Sequence, residues 1–405
     1  MILCGFVLNH KSYAQPRVSI PIQSQTDAAS GISPFFTIQP PRGSTLLLGR
    51  GYNSVSATVG GPCIEVDSLE TLKGDPSSST GQKVVYSMQE IQDLSQMREI
   101  LEVNASGALG LGSYSADLKA KYLNENSFNS TNLFLVIKVS VENQTEVLKN
   151  FKLTPAAYSL LQKSKEAFLK GCGNQFIAAR VTGGEFIAVI EVETNSLEEK
   201  KEILAKMSGE GLFWKVNPDF SSHLSYIMKR HRASVRVFRT GDQGELPELK
   251  AENLVSYAIN FPGKVLRQSS QSWPFLVSTE SYDSVLDKPS EDWISLSDQQ
   301  RVLDQLSLYQ SKAKLDLNNI DHVLSNSSQY QRVEHTTLNK TKDLYLEIIS
   351  QVRLSAQSCA TQPLFDCKSP MIRWPNLKLP EPKPVTVSDD DEMDSPEMPY
   401  SFETP

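Results

Sequence analysis

The stretch Gln175–Glu193 (QFIAARVTGGEFIAVIEVE) constrains this chain more than any other. Its β-branched and aromatic residues mark a strand, yet Gly183 and Gly184 fall in its middle. A glycine pair weakens a strand, because no side chain packs there and the backbone loses more freedom on folding. Such a pair fits where a strand bends sharply or where a second backbone comes close. It also fits an ordinary bulge or a hairpin turn at the pair.

Other runs place this strand in a sheet. Asn132–Val141 (NLFLVIKVSV), Ser234–Arg239 and Trp273–Ser281 read as strands, and Leu46–Ser54 as a strand running into a turn. Met88–Met97 reads as a loop or short helix. Residues 295–312 and 338–356 carry apolar residues at helical spacing, among them Leu303, Leu306 and Tyr309, then Leu344, Leu346, Ile349 and Val352. Pro370, Pro375, Pro380, Pro382 and Pro384 predict an extended segment. The tail from Val385 holds seven acidic residues and no Lys or Arg, which predicts disorder.

The run Cys172-Gly173-Asn174-Gln175-Phe176, six further residues, then Gly183-Gly184 resembles the signature of the membrane attack complex/perforin (MACPF) family. That signature has an aromatic, Gly, Thr or Ser, His, an aromatic, six residues and Gly-Gly. Gly173, Phe176, the gap and the glycine pair match. Cys172 replaces the first aromatic, Asn174 the hydroxyl residue and Gln175 the histidine. Gly49–Ser54 (GRGYNS) and Tyr257–Pro262 (YAINFP) are also similar to stretches of perforin-like proteins.

The resemblance covers roughly residues 45–350. It implies an α+β fold: a bent, mainly antiparallel four-stranded sheet flanked by two helical clusters, with C-terminal helices. It implies a soluble protein that assembles into a homo-oligomeric ring on a lipid membrane. Two segments, helical at first, would then refold into amphipathic β-hairpins. Gly183 and Gly184 would form the bend. The expected organisation is an N-terminal arm at 1–40, a MACPF-like domain at 41–357, the Pro-rich segment at 358–384 and the acidic tail at 385–405. That tail is no folded lipid-binding module, so the resemblance leaves membrane targeting unexplained and open to an unidentified targeting protein. A non-lytic adhesion or recognition protein of the same fold is the alternative.

Residues 196–231 suit the second segment. Ser196 stands three residues before Glu199 as a helix cap, and Leu224, Ile227 and Met228 share a helical face. The segment also alternates. Leu212, Trp214, Val216, Phe220, Leu224, Tyr226 and Met228 have even parity, with mostly polar residues between them, as a lipid-facing barrel strand requires. Trp214, Phe220, Leu224 and Tyr226 are the expected lipid-facing residues. Gly107–Ser130 suits the first segment, with Leu118, Ala120 and Tyr122 alternating against Asp117, Lys119 and Lys121. The basic cluster Lys229-Arg230-His231-Arg232 is either a solvated helix end or a contact for anionic headgroups.

Composition narrows the rest. The net charge of −7 comes from the tail, so the body is close to neutral. That excludes a nucleic-acid platform, which needs a basic surface. No run of about 18 apolar residues spans a bilayer as a helix, and Ile2–Leu8 with Ser12-Tyr13-Ala14 reads either as an atypical signal segment or a frayed end. Cys359 and Cys367 either close a small disulfide loop in a secreted protein or remain free thiols. No metalloprotease, phosphate-loop, nucleophile-elbow or dinucleotide motif is present. The chain is therefore expected to be no enzyme and to hold no cofactor or metal.

Overall fold

The computed structural model describes residues 36–37, 48–56, 58–73, 82–112, 117–209, 218–242, 245, 248, 250–265, 273–286, 291–361 and 367–383. The chain opens with β1 (Phe36–Thr37), β2 (Arg50–Asn53), β3 (Thr58–Pro62), β4 (Ile64–Lys73) and β5 (Lys83–Ile91). Helices α1 (Leu94–Ile100), α2 (Ala105–Ala108) and α3 (Leu118–Glu125) lead into the long strand β6 (Leu133–Leu153). Helices α4 (Pro155–Lys163) and α5 (Lys165–Cys172) lead into β7 (Gln175–Val192). Then come α6 (Leu197–Gly209), α7 (Pro218–Arg230), β8 (Ala233–Thr240), α8 (Ala251–Lys264) and β9 (Trp273–Ser281). Two long helices follow, α9 (Glu291–Ser325) and α10 (His335–Thr361).

Among the described residues nine strands join in one antiparallel sheet, which corrects the expectation of four. The discrepancy has a simple origin. Strands β6 and β7 pair from Leu133↔Val192 to Val147↔Ala179 and form a central spine. Each outer position is filled by two strands in succession. In the upper half the order is β5–β6–β7–β8, and in the lower half β4–β6–β7–β9. The sequence expectation missed β1, β3, β4 and β5; of Met88–Met97, read as a loop or short helix, Met88 lies in β5 and the residues from Leu94 form α1.

The upper half is buried on both faces. Leu133, Leu135, Ile137, Val139 and Val141 of β6 pack with Phe186, Ala188 and Ile190 of β7 against α6, α7 and α8. Phe134 and Val136, with Ile187 and Val189, face the other way onto α1, α2 and α3. A strand covered on both sides needs an unbroken apolar run rather than an alternating one, and NLFLVIKVSV is such a run.

The lower half is stapled. A disulfide joins Cys63, between β3 and β4, to Cys172 at the end of α5. A second joins Cys359 of α10 to Cys367. Residues 367–383 then run extended over the α9–α10 pair, with Ile372, Trp374 and Leu377 packed into its core. Trp374 lies edge-on to Tyr309 at 5.8 Å, and Lys312 sits 5.0 Å over its ring. Among the described residues no helix is long and apolar enough to cross a membrane.

Candidate functional site

The outer strands change over at one level of the sheet, and Gly183 and Gly184 lie at that level. Strand β7 runs through the pair without a hairpin turn: Gly183 stands opposite Glu142 and Gly184 opposite Val141. The irregularity falls on the partner strand, where Asn143 bulges between Glu142 and Gln144. On the other side β7 pairs with Trp273 of β9 up to Gly183, and with Thr240 of β8 from Glu185. Gly241, at φ +88°, turns the chain away directly over this point. A Cβ on Gly184 would meet the Thr240 carbonyl oxygen at 2.5 Å, and one on Gly241 would meet the Gly183 oxygen at 2.3 Å. Two backbones touch here, and only glycine permits it.

The signature residues sit at the foot of β7. Gly173 has φ +73°, and a Cβ there would strike the Tyr52 carbonyl at 2.3 Å. Asn174 accepts from the Ser54 N–H at 2.9 Å, and its amide donates to Ser54 Oγ at 2.8 Å. Gln175 accepts from Thr279 Oγ1 at 2.8 Å. Phe176 is fully buried against Phe151 and Tyr282. The two stretches Gly49–Ser54 and Gly173–Phe176 are thus two sides of one contact, locked by the Cys63–Cys172 bridge.

Directly after the glycine pair, Glu185 is 2% exposed. It carries a buried charge cluster that sequence reasoning did not assemble. Lys119 of α3 pairs with one carboxylate oxygen, and Lys138 of β6 reaches the other at 3.0 Å. Lys138 also pairs with Glu102 and donates to the Ile100 carbonyl at 3.1 Å. Burial pushes the Glu185 carboxyl up, but Lys119 and then Lys138 outweigh it and hold it below the ordinary carboxylate range. The signal was present in Lys138, a lone charge inside an apolar strand. A buried charge needs a partner.

Both expected refolding segments carry helices here. The first, Gly107–Ser130, takes in the end of α2 and all of α3, and Asp117 caps α3 by accepting from the Ala120 N–H at 2.8 Å. The second contains α6 and α7. Ser196 accepts from the Glu199 N–H at 3.1 Å, and Pro218 opens α7. Trp214 lies outside the described residues, and Phe220 lies on α7. Leu224 is fully buried in the core with Phe186 and Ala258, whereas Tyr226 is half exposed with Arg230 over its ring. Lys200 of α6, 7% exposed, pairs with Glu90 of β5 at 3.2 Å. Each segment therefore holds the sheet through one buried lysine. At the end of α7, His231 faces Glu199 and Arg232 faces Glu193. Among the described residues no cluster of three or more His, Cys, Asp or Glu could hold a metal.

No protein-family model matches the sequence, and no curated protein sequence does. Solved structures are similar in shape. Stonustoxin aligns over 82% of this chain and 43% of its own, at 9% identity and a TM-score of 0.45. Wild-type pneumolysin aligns over 63% and 60%, at 12% identity and 0.38. Astrotactin-2, a vertebrate perforin-like membrane protein involved in neuronal development, aligns over 64% and 98%, at 14% identity and 0.34. The chain spans less than half the length of stonustoxin and about three fifths of pneumolysin.

Proposed function

We propose that this chain is a MACPF-like membrane-inserting protein. It assembles into a homo-oligomeric ring on a lipid membrane, and each subunit refolds two helical segments into amphipathic β-hairpins. The observation that carries the proposal is a matter of connectivity. Residues 92–132 join β5 to β6, and residues 193–232 join β7 to β8; both are antiparallel neighbours. All four strands end at the same edge of the sheet, at Ile91, Leu133, Val192 and Ala233. Straightening either connection simply extends a ladder that already exists. Each connection is long enough for two membrane-spanning strands of about 9–11 residues and a turn.

Apolar burial in lipid and closure of inter-strand hydrogen bonds would drive the change, since unpaired backbone groups are not tolerated in hydrocarbon. In this reading Gly183 and Gly184 form the bend, and Trp214, Phe220, Leu224 and Tyr226 face lipid. The two disulfides support a secreted protein. The proposal contains no catalytic step.

One observation favours the non-lytic alternative. Glu198, Glu199, Lys200, Lys201 and Glu202 are consecutive, so an extended strand there puts charge on both faces. Dye release separates the two readings. Anionic and zwitterionic vesicles are exposed to the protein and to a variant with an engineered disulfide between α7 and α8. Release that the disulfide blocks and reductant restores supports insertion. No release and no oligomers on any lipid favours adhesion or recognition.

A further inference from the structure

Helix α9 does more than pair with α10. Toward the sheet it carries a row of polar side chains at helical spacing, Ser307, Gln310, Lys314 and Asn318, with Asn319 beside them. Ser307 and Gln310 are buried, and Lys314 is 9% exposed. All of them reach residues between Arg98 and Ser130. Arg98 of α1 donates to Ser307. Gln310 Nε2 donates to the Ala108 carbonyl at 2.7 Å and to Asn124 Oδ1 at 3.1 Å. Lys314 Nζ donates to the Asn124 carbonyl and side-chain oxygen, both at 2.9 Å. Asn318 Nδ2 donates to the Phe128 carbonyl at 2.9 Å. Asn319 brackets Ser130, accepting from its N–H at 2.8 Å and donating to its hydroxyl at 3.0 Å.

The contacts fall at the end of α2, the end of α3 and the approach to β6. Ala108, Asn124 and Phe128 are held through main-chain carbonyls, groups that a strand would need for its own ladder. The Asn124 carbonyl belongs to the C-terminal turn of α3, where orphan carbonyls favour a cation. An ammonium this deep is tolerated only with such acceptors around it. Burial, and secondarily Arg353, pull Lys314 down to about 7.

We propose that α9 is a clasp: its polar row holds the first segment in the helical form, and letting go sets when that segment leaves the sheet. The timing role rests on the membrane-insertion reading; the holding role does not.

Amide exchange on the full chain tests both. The variants are Gln310→Leu and Asn318→Leu, with Asn319→Ala as a milder change that leaves folding intact and Gln305→Leu as an exposed control. Losing one or two buried hydrogen bonds speeds exchange across residues 105–130 about tenfold or more. Amides of β6 and α10 keep their protection, the control changes nothing, and dye release starts sooner. Unchanged exchange at 105–130 in all three variants overturns the clasp. Faster exchange with unaltered release kinetics overturns the timing role. Faster exchange with no release by any form, wild type included, overturns the membrane-insertion reading and the timing role while the clasp stands.

Discussion

Replacing Lys119 by Met tests whether α3 is fastened to the sheet by charge. Met fills most of the volume of the lysine stem, so packing changes little. The carboxylate of Glu185, whose side chain is 3% exposed, loses one of its two cations. The other, Lys138, is shared with Glu102. Removing one partner of a buried pair costs about 3–5 kcal/mol, and the remaining lysine places this case near 3 kcal/mol. That is a large part of the stability of an ordinary domain. The assay is urea denaturation followed by near-UV circular dichroism, repeated between pH 3 and pH 8. Glu185 titrates below its ordinary 4.5 in the folded state, so its contribution is present above that value. It is lost as pH falls through the folded value. Without Lys119 the folded value rises, so the variant loses stability at higher pH than the wild type. The gap between them is widest near pH 7 and narrows toward pH 3. Adding Glu185→Gln to Lys119→Met recovers part of the loss, with a coupling of about 1–3 kcal/mol. A single-variant cost under about 1 kcal/mol, or a gap as wide at pH 3 as at pH 7, refutes the charge latch.

Three further outcomes follow from the geometry. Gly184→Ala places a carbon 2.5 Å from the Thr240 oxygen and should cost about 1–3 kcal/mol; unchanged thermal unfolding would show that the backbones do not touch. The double change Cys63→Ser and Cys172→Ser opens a link across 109 residues and should cost about 2–5 kcal/mol, measured after non-reducing peptide mapping has verified the wild-type pairing. Leu224→Ala, in the core, should lose about 2–5 kcal/mol, whereas the half-exposed Tyr226→Ala stays within about 0.5 kcal/mol; equal losses in denaturant would contradict the placement of α7.

What could be read from the sequence depended on burial. NLFLVIKVSV announces itself because both faces of β6 are covered, and the run to Glu193 does so for the same reason. The strand IEVDSLETLK is invisible by comparison. It lies at a sheet edge with Leu69 and Leu72 about half exposed, so no apolar pattern marks it. That is why β4 was missed; the number four came from the family resemblance. Glu185 could be noticed beside the glycines, but its partner Lys119 comes from a helix 66 residues away, and single-sequence spacing carries no trace of such a meeting. Cys63 and Cys172 escaped for the same reason. The helical face of α9 was legible through Leu303 and Leu306; its polar side reads as ordinary solvent-facing sequence until the first segment is seen lying on it.

The changeover of outer strands at Gly183–Gly184 makes the sheet a two-storey frame on a common pair of columns. The ground floor is riveted: the Cys63–Cys172 bridge and the docked Gly49–Ser54 loop fix it. Everything that a refolding event would need to displace hangs on the floor above, by the lysines of α3 and α6 and by α9. The rivet and the hooks share no residue, so cutting the rivet is expected to weaken the frame without unhooking either segment, and unhooking a segment to leave the foundation where it stands.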